Sequence, residues 1–230
     1  MTIEGKNLTL DEFRRYARNY DFGRIKPSWL VIHHTWSPTK AQWRGATSVA
    51  GLKSYYESKG WSAGPHLFIA EDGVWLFTPM SKVGIHAGEG NAKYLFGMLK
   101  GYSIGIEVVG DYDAEKWTGE TYKNAIGVIN VLMEVLGIKN EDIFFHRDYP
   151  SAKKSCPGWA ITKEWLGAEL AKTDAMGQVV MNTNTSISSW AQDGWQWAQG
   201  LGLDISVRPQ QTVTAEWVFA ILKKYHDIKH

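Results

Sequence analysis

A single cysteine, a near-zero net charge and the shortness of every apolar run each close off a class of function. Cys156 alone cannot form an internal disulfide, which leaves it packing, reactivity or metal ligation. With 25 Lys and Arg against 24 Asp and Glu, the net charge is +1 and no block of like charge stands out. Phosphate backbones are bound by concentrated basic surface, so no nucleic-acid partner is expected. The longest apolar stretches, residues 29–32 and 126–136, fall well short of the roughly 20 residues of a membrane-spanning helix, so no membrane insertion is expected. Near the N-terminus, Glu4, Asp11 and Glu12 stand where a secretory signal would carry an apolar core. A cytoplasmic, monomeric protein with a reduced thiol is therefore the expectation.

Tryptophan, by contrast, is abundant, with 12 in 230 residues. Core packing accounts for most of a set like this, and a carbohydrate or cell-wall ligand is the sharper reading of the remainder, because flat rings cover sugar faces. Thr9 with Glu12 three residues on is a capping-box pattern and predicts a helix over 10–19. Residues 29–34 read as a buried central strand ending in His33 and His34. A helix over 47–58 follows, with Val49, Leu52, Tyr55 and Tyr56 inward, then a hairpin of 65–70 and 74–78 turned by Asp72-Gly73. Residues 102–110 form another strand, alternating Ile104, Ile106 and Val108 against Ser103, Gly105, Glu107 and Val109. The longest helical stripe runs over 118–136 and stops at Gly137, and a short strand at 143–145 delivers His146. Strands mixed with helices in this order predict an α/β (α+β) domain over 1–172, a mixed central sheet flanked by helices.

Two imidazoles and a thiolate make a zinc set that leaves one position open, as a hydrolytic site requires. His146 and Cys156 are joined by a loop long enough to turn both side chains onto one centre. Because neighbours on a strand point to opposite faces, only one of His33 and His34 joins them. On these residues alone a second reading stands, with Cys156 as a small buried hydrophobe and His146 as a satisfied loop histidine. Glu107 is a carboxylate in an otherwise apolar strand, a costly placement that points to acid–base work or a cation partner. Lys154 suits a thiolate or oxyanion contact, or an ordinary surface position. His86 lies in a small-residue loop suited to close substrate approach, and His66 reads as a core histidine paired to backbone.

Taken together, Val31-Ile32-His33-His34-Thr35, Gly64-Pro65-His66-Leu67-Phe68-Ile69, His86-Ala87-Gly88, Ser103-Ile104-Gly105-Ile106-Glu107 and His146-Arg147-Asp148 through Lys154-Ser155-Cys156-Pro157-Gly158 occur in register. This order resembles the zinc-dependent N-acetylmuramoyl-L-alanine amidases of the amidase-2 type, which are similar to peptidoglycan recognition proteins. The resemblance covers roughly residues 29–170. It implies zinc (Zn2+) held by His33, His146 and Cys156 in a surface groove, Glu107 activating the hydrolytic water, Lys154 steadying the oxyanion, and His86, His34 and Pro65 at the substrate. Pro65 stands where some relatives have a tyrosine, and those relatives can lack the glutamate, so this chain resembles the glutamate-dependent variant. The activity implied is cleavage of the amide between N-acetylmuramic acid and L-alanine in bacterial peptidoglycan. A phage endolysin, held in the host cytoplasm until lysis and then acting on the cell wall, fits the expected absence of a signal. Two rivals remain: a non-catalytic peptidoglycan receptor of the same fold, which typically lacks the cysteine, and a thiol hydrolase using Cys156 and His146.

Residues 175–192 carry no charge, and a linker is expected over 173–187. Beyond it, 188–230 reads as a small helical module with Ser189 and Thr214 as caps. Ser189-Trp190-Ala191, Trp197-Ala198, Gly202-Leu203 and Arg208-Pro209 are similar to a single S-layer-homology-like unit, which implies binding to a secondary cell-wall polymer.

Overall fold

A computed structural model describes the backbone of residues 1–182 and the side chains of residues 1–172. By packing, the chain divides into Met1–Asp174 and Ala175–His230. The first unit is built around a strand that has no solvent-facing residue, β2 (Trp29–His34). Its neighbours β6 (Met98–Val108) and β7 (Ile143–Phe145) both run parallel to it. Burial on both faces suits such a parallel centre and explains the unbroken apolar run before the histidines. On the far side of β6 lies the hairpin of β3 (Leu67–Ala70) and β4 (Gly73–Leu76), with β1 (Asn7–Leu8) at the edge. The order is β1-β4-β3-β6-β2-β7, and β5 (Ala92–Leu95) pairs antiparallel with β6 alone.

Helices cover both faces of this mixed sheet. On one face α1 (Leu10–Arg18) and α3 (Gly119–Leu136) pack Phe13, Ile126, Ile129 and Leu132 against Leu30, Ile32, Ile104 and Ile106. Full burial of one such side chain is worth about 1.5–3 kcal/mol, so the period-two alternation of the strands supplies most of the holding force. The capping box of Thr9 and Glu12 starts α1, and Gly137 in the left-handed region (φ 69°) ends α3. On the other face α2 (Ala46–Ser58) sets Val49 and Tyr56 against Phe68, Phe77 and Val109.

Three expectations meet a different outcome. Tyr55 is 53 % exposed, because adjacent helical residues lie about 100° apart and only Tyr56 reaches the sheet, while the Lys59 ammonium covers the Tyr55 ring. The strand expected from Tyr102 begins at Met98, because β5 folds back on it as a hairpin. α4 (Lys163–Asn182) continues helically through residues 173–182 of the stretch read as linker, since lack of charge does not break a helix and those residues contain no proline. The rest of that linker and the wall-binding module expected over 188–230 lie outside the described residues. Among the described residues no helix is long and apolar enough to cross a membrane.

Candidate active site

Alternation along β2 decides which histidine faces what. His33 continues the row of Trp29 and Val31, and His34 that of Leu30 and Ile32, so their rings leave opposite faces of the sheet. Across β2 and β6, His33 is in register with Glu107, which brings the two side chains to the same face. β7 ends one residue before His146, whose ring therefore turns in beside His33. The His33 Nδ1 atom lies 2.9 Å from His146 Nδ1 and 3.6 Å from Cys156 Sγ.

Cys156 arrives on a loop that the neighbouring residues clamp. The Arg147 N–H donates to the Cys156 carbonyl at 2.9 Å, and Arg147 Nη1 donates to the carbonyls of Ser155 and Gly158 at 2.9 and 2.8 Å. Gly158 has φ +106°, and a Cβ there would sit 2.3 Å from the backbone of Tyr112, so the loop closes only over glycine. The His34 N–H donates to Cys156 Sγ at 3.4 Å, giving the sulfur a fixed direction.

His33, His146 and Cys156 are all buried, and their donor atoms lie within 4.8 Å of one another. Tetrahedral zinc with nitrogen at about 2.0–2.1 Å and sulfur at about 2.3 Å sets such atoms roughly 3.3–3.6 Å apart. The donor set therefore fits zinc with one position left open. A second feature agrees: Glu107 Oε1 lies 3.9 Å from His33 Nδ1, while its Oε2 is buried without a hydrogen-bond partner. An unpartnered buried carboxylate oxygen is expensive, and it marks a place built for a group that arrives later.

Burial, the largest cause in each case, sets the protonation of these groups. It raises the Glu107 carboxyl to about 8, against a smaller downward pull from Lys154. The Cys156 thiol is pushed up by burial and then by Glu107. Desolvation lowers the histidines, His146 to about 4 and His33 well below its ordinary value. Lys154 is exposed, and its charge acts on His33, His146, Glu107 and Cys156 alike.

Of the three residues expected at the substrate, His86 lies beside the donor cluster, while His34 and Pro65 are buried. The His34 ring is buried on the opposite face, where Nδ1 accepts the Tyr112 N–H at 3.2 Å and lies 4.0 Å from Asp111. Pro65 is buried, and its carbonyl accepts the Thr78 N–H at 3.1 Å. His86 turns inward, with Nδ1 3.0 Å from His33 Nε2 and Nε2 3.2 Å from Ser103 Oγ. His66 holds the core position expected of it: Nδ1 accepts the Gly105 N–H and Nε2 reaches the Lys82 carbonyl, each at 2.9 Å. Sequence reasoning missed Ser103, which meets the His86 ring and the Gly90 carbonyl, and the Arg147 clamp, whose partners are backbone carbonyls that no side-chain motif announces.

These histidines give the metal-free protein a defined pH dependence. His33, His34, His66, His86 and His146 all have lowered pKa values in the fold. Unfolding frees them to take up protons below about 6.5, so their stabilisation is present above that pH and is lost as pH falls toward the folded values. His66, lowered to about 4, accounts alone for roughly 3 kcal/mol. The urea midpoint of the metal-free chain should therefore drop clearly between pH 7 and pH 5; a midpoint independent of pH would contradict this burial.

A parallel-centred mixed sheet on an α/β scaffold thus gathers His33, His146 and Cys156 near the end of its middle strand, a donor set able to hold a metal ion. The family model described as N-acetylmuramoyl-L-alanine amidase matches residues 23–159, and the chain belongs to that family, the amidase-2 family. Among solved structures it is similar to the N-acetylmuramoyl-L-alanine amidase LysC from Clostridium intestinale, with 24% identity and a TM-score of 0.51 over 64% of this chain and 87% of that one. Drosophila PGRP-LB shares 19% identity and a TM-score of 0.50 over 64% of this chain and 84% of its own. Drosophila Peptidoglycan Recognition Protein SA shares 16% identity and a TM-score of 0.50 over 66% and 87%. Identities this low establish a shared fold. No curated protein matches the chain by sequence.

Proposed function

We propose that the chain is a zinc-dependent hydrolase that cuts the amide between the lactyl group of N-acetylmuramic acid and the L-alanine of the stem peptide. The observation that carries this is Glu107, with one oxygen buried and unpartnered and the other 3.9 Å from the His33 atom that faces His146 and Cys156. Zinc, when held by His33, His146 and Cys156, polarises the scissile carbonyl and lowers the pKa of water toward about 7. Glu107, in register with His33 and on the same face of the sheet, takes a proton from the attacking water and returns it to the departing amine. Lys154, whose charge acts on His33, His146, Glu107 and Cys156, is the cation assigned to the anionic carbonyl oxygen, a contact whose loss typically costs on the order of a hundredfold or more in rate.

The complete donor set with a catalytic carboxylate favours an enzyme over a receptor that only binds. Thiol hydrolysis is disfavoured because burial holds the Cys156 sulfur protonated, whereas a nucleophilic cysteine needs a lowered pKa. Chelation separates these readings: activity should vanish with a chelator and return with zinc, and full activity in metal-free protein would overturn the proposal.

Two exposed rings support recognition of a glycan. Trp36 is 63 % and Trp159 62 % exposed, three residues along the chain from His33 and Cys156 respectively and thus within about 10 Å of them. Trp36 also holds a positive φ of 54°, a strained backbone of the kind that clusters at ligand sites. Replacing both by Ala should raise KM for a soluble glycan-peptide several-fold in steady-state kinetics, with kcat and zinc content retained. An unchanged KM would remove these rings from the binding surface.

A further inference from the structure

His86 and Ser103 are the polar side chains beside the donor cluster that the proposed chemistry leaves without a task. His86 is firmly held: its own N–H and that of Ala87 both donate to Asn91 Oδ1, at 3.0 and 2.7 Å. Its ring stands edge-on to His33, centroids 5.1 Å apart at 87°. His86 Nδ1 is 3.0 Å from His33 Nε2, His86 Nε2 is 3.2 Å from Ser103 Oγ, and Ser103 Oγ is 2.8 Å from the Gly90 carbonyl.

The end of this chain fixes the direction of every bond in it. A carbonyl only accepts, so the Ser103 hydroxyl donates to Gly90 and its oxygen accepts from His86 Nε2–H. A neutral His86 protonated at Nε2 has its lone pair on Nδ1, which accepts from His33 Nε2–H. His33 then has its remaining lone pair on Nδ1, the atom that faces His146 Nδ1 and Cys156 Sγ. We propose that the Ser103–His86 pair is a positioning device that locks His33 in the Nδ1-donor tautomer and fixes its ring plane for the metal. This rests on the zinc reading of the site and adds to it two residues that act through His33.

Space has been made for the device. At Gly105, two residues along β6 from Ser103, a Cβ would lie 2.5 Å from His86 Cγ and 2.7 Å from Nδ1. Any larger residue there displaces the ring that orients His33. Outer partners of metal-bound histidine are commonly carboxylates or carbonyls and their loss typically costs 10–100-fold in metal affinity. Here the acceptor is a neutral imidazole, so the thiolate of Cys156 is the one negative ligand and no further negative charge is fed to the metal through His33.

The test uses the full chain and measures zinc affinity by chelator competition, the absorption spectrum of the cobalt-substituted site, and the unfolding midpoint of the metal-free protein. His86→Leu should weaken zinc 10–100-fold and shift the cobalt spectrum. His86→Asn, whose Oδ1 falls near the position of Nδ1, should recover most of the affinity, and Ser103→Ala should show a smaller loss of the same sign. Zinc held as tightly by His86→Leu as by the wild type would overturn the proposal, as would a loss in His86→Asn equal to that in His86→Leu. Should the leucine variant fail to fold, Ser103→Ala decides: wild-type affinity and an unmoved cobalt spectrum refute the lock. The amidase reading fails separately, if zinc binds with the predicted dependence on His86 but the muramoyl amide stays intact.

Discussion

Turnover of Glu107→Gln should fall by on the order of 10²–10⁴-fold while zinc content stays at the wild-type level. The substitution keeps shape and volume at a strand position fixed by register with His33 and Phe68, so packing has no reason to change. What it removes is the capacity to take up a proton and give it back. The carboxyl also has a signature in stability. Its pKa rises from 4.5 to about 8 on folding, so the folded state holds this proton more tightly, and the contribution of Glu107 alone, opposite in sign to that of the buried histidines, falls as pH rises across that interval. The glutamine variant has no such loss and should be the more stable of the two in the metal-free state above pH 8. A wild-type rate in this variant would remove Glu107 from the mechanism.

Cys156→Ala should abolish metal retention and turnover together. Structural zinc sites with four ligands bind with about 10–16 kcal/mol, so one ligand is worth about 2.5–4 kcal/mol, or on the order of 10²–10³-fold in affinity. The side chain is 4 % exposed and accepts the His34 N–H, so its truncation also leaves a small gap and an unpaired donor in the core. Metal content by atomic spectroscopy after dialysis, set beside the unfolding midpoint, separates the two effects. A folded alanine variant that kept zinc would show that Cys156 is packing after all.

Legibility followed how local each signal was. The buried run before His33 and the capping box at Thr9 and Glu12 are written within a few residues, and the elements stand where those patterns put them; the hairpin also forms, but its turn residues are Glu71 and Asp72, with Gly73 paired to Ala70 in the strand. Glu107 was conspicuous because a carboxylate breaks an apolar alternation, and the period-two rule separated His33 from His34. The α4 helix and the β5 hairpin were missed because weakly patterned residues acquire structure there from packing and pairing. The role of His86 could not be read, since its partners His33 and Ser103 lie 53 and 17 residues away and the need for glycine at 105 emerges only when the ring lands on it. Likewise Arg147 acts through carbonyls of a loop 8 to 11 residues downstream, a distance that no short motif encodes.

Mass spectrometry of a defined muropeptide incubated with the zinc-loaded chain tests the central claim most directly. The account predicts two products that together gain one water, a glycan bearing a free lactyl carboxylate and a stem peptide with a free L-alanine amino group, and no products after chelation. Cleavage at a glycosidic bond or within the stem peptide, or intact substrate with a fully zinc-loaded protein, would contradict it.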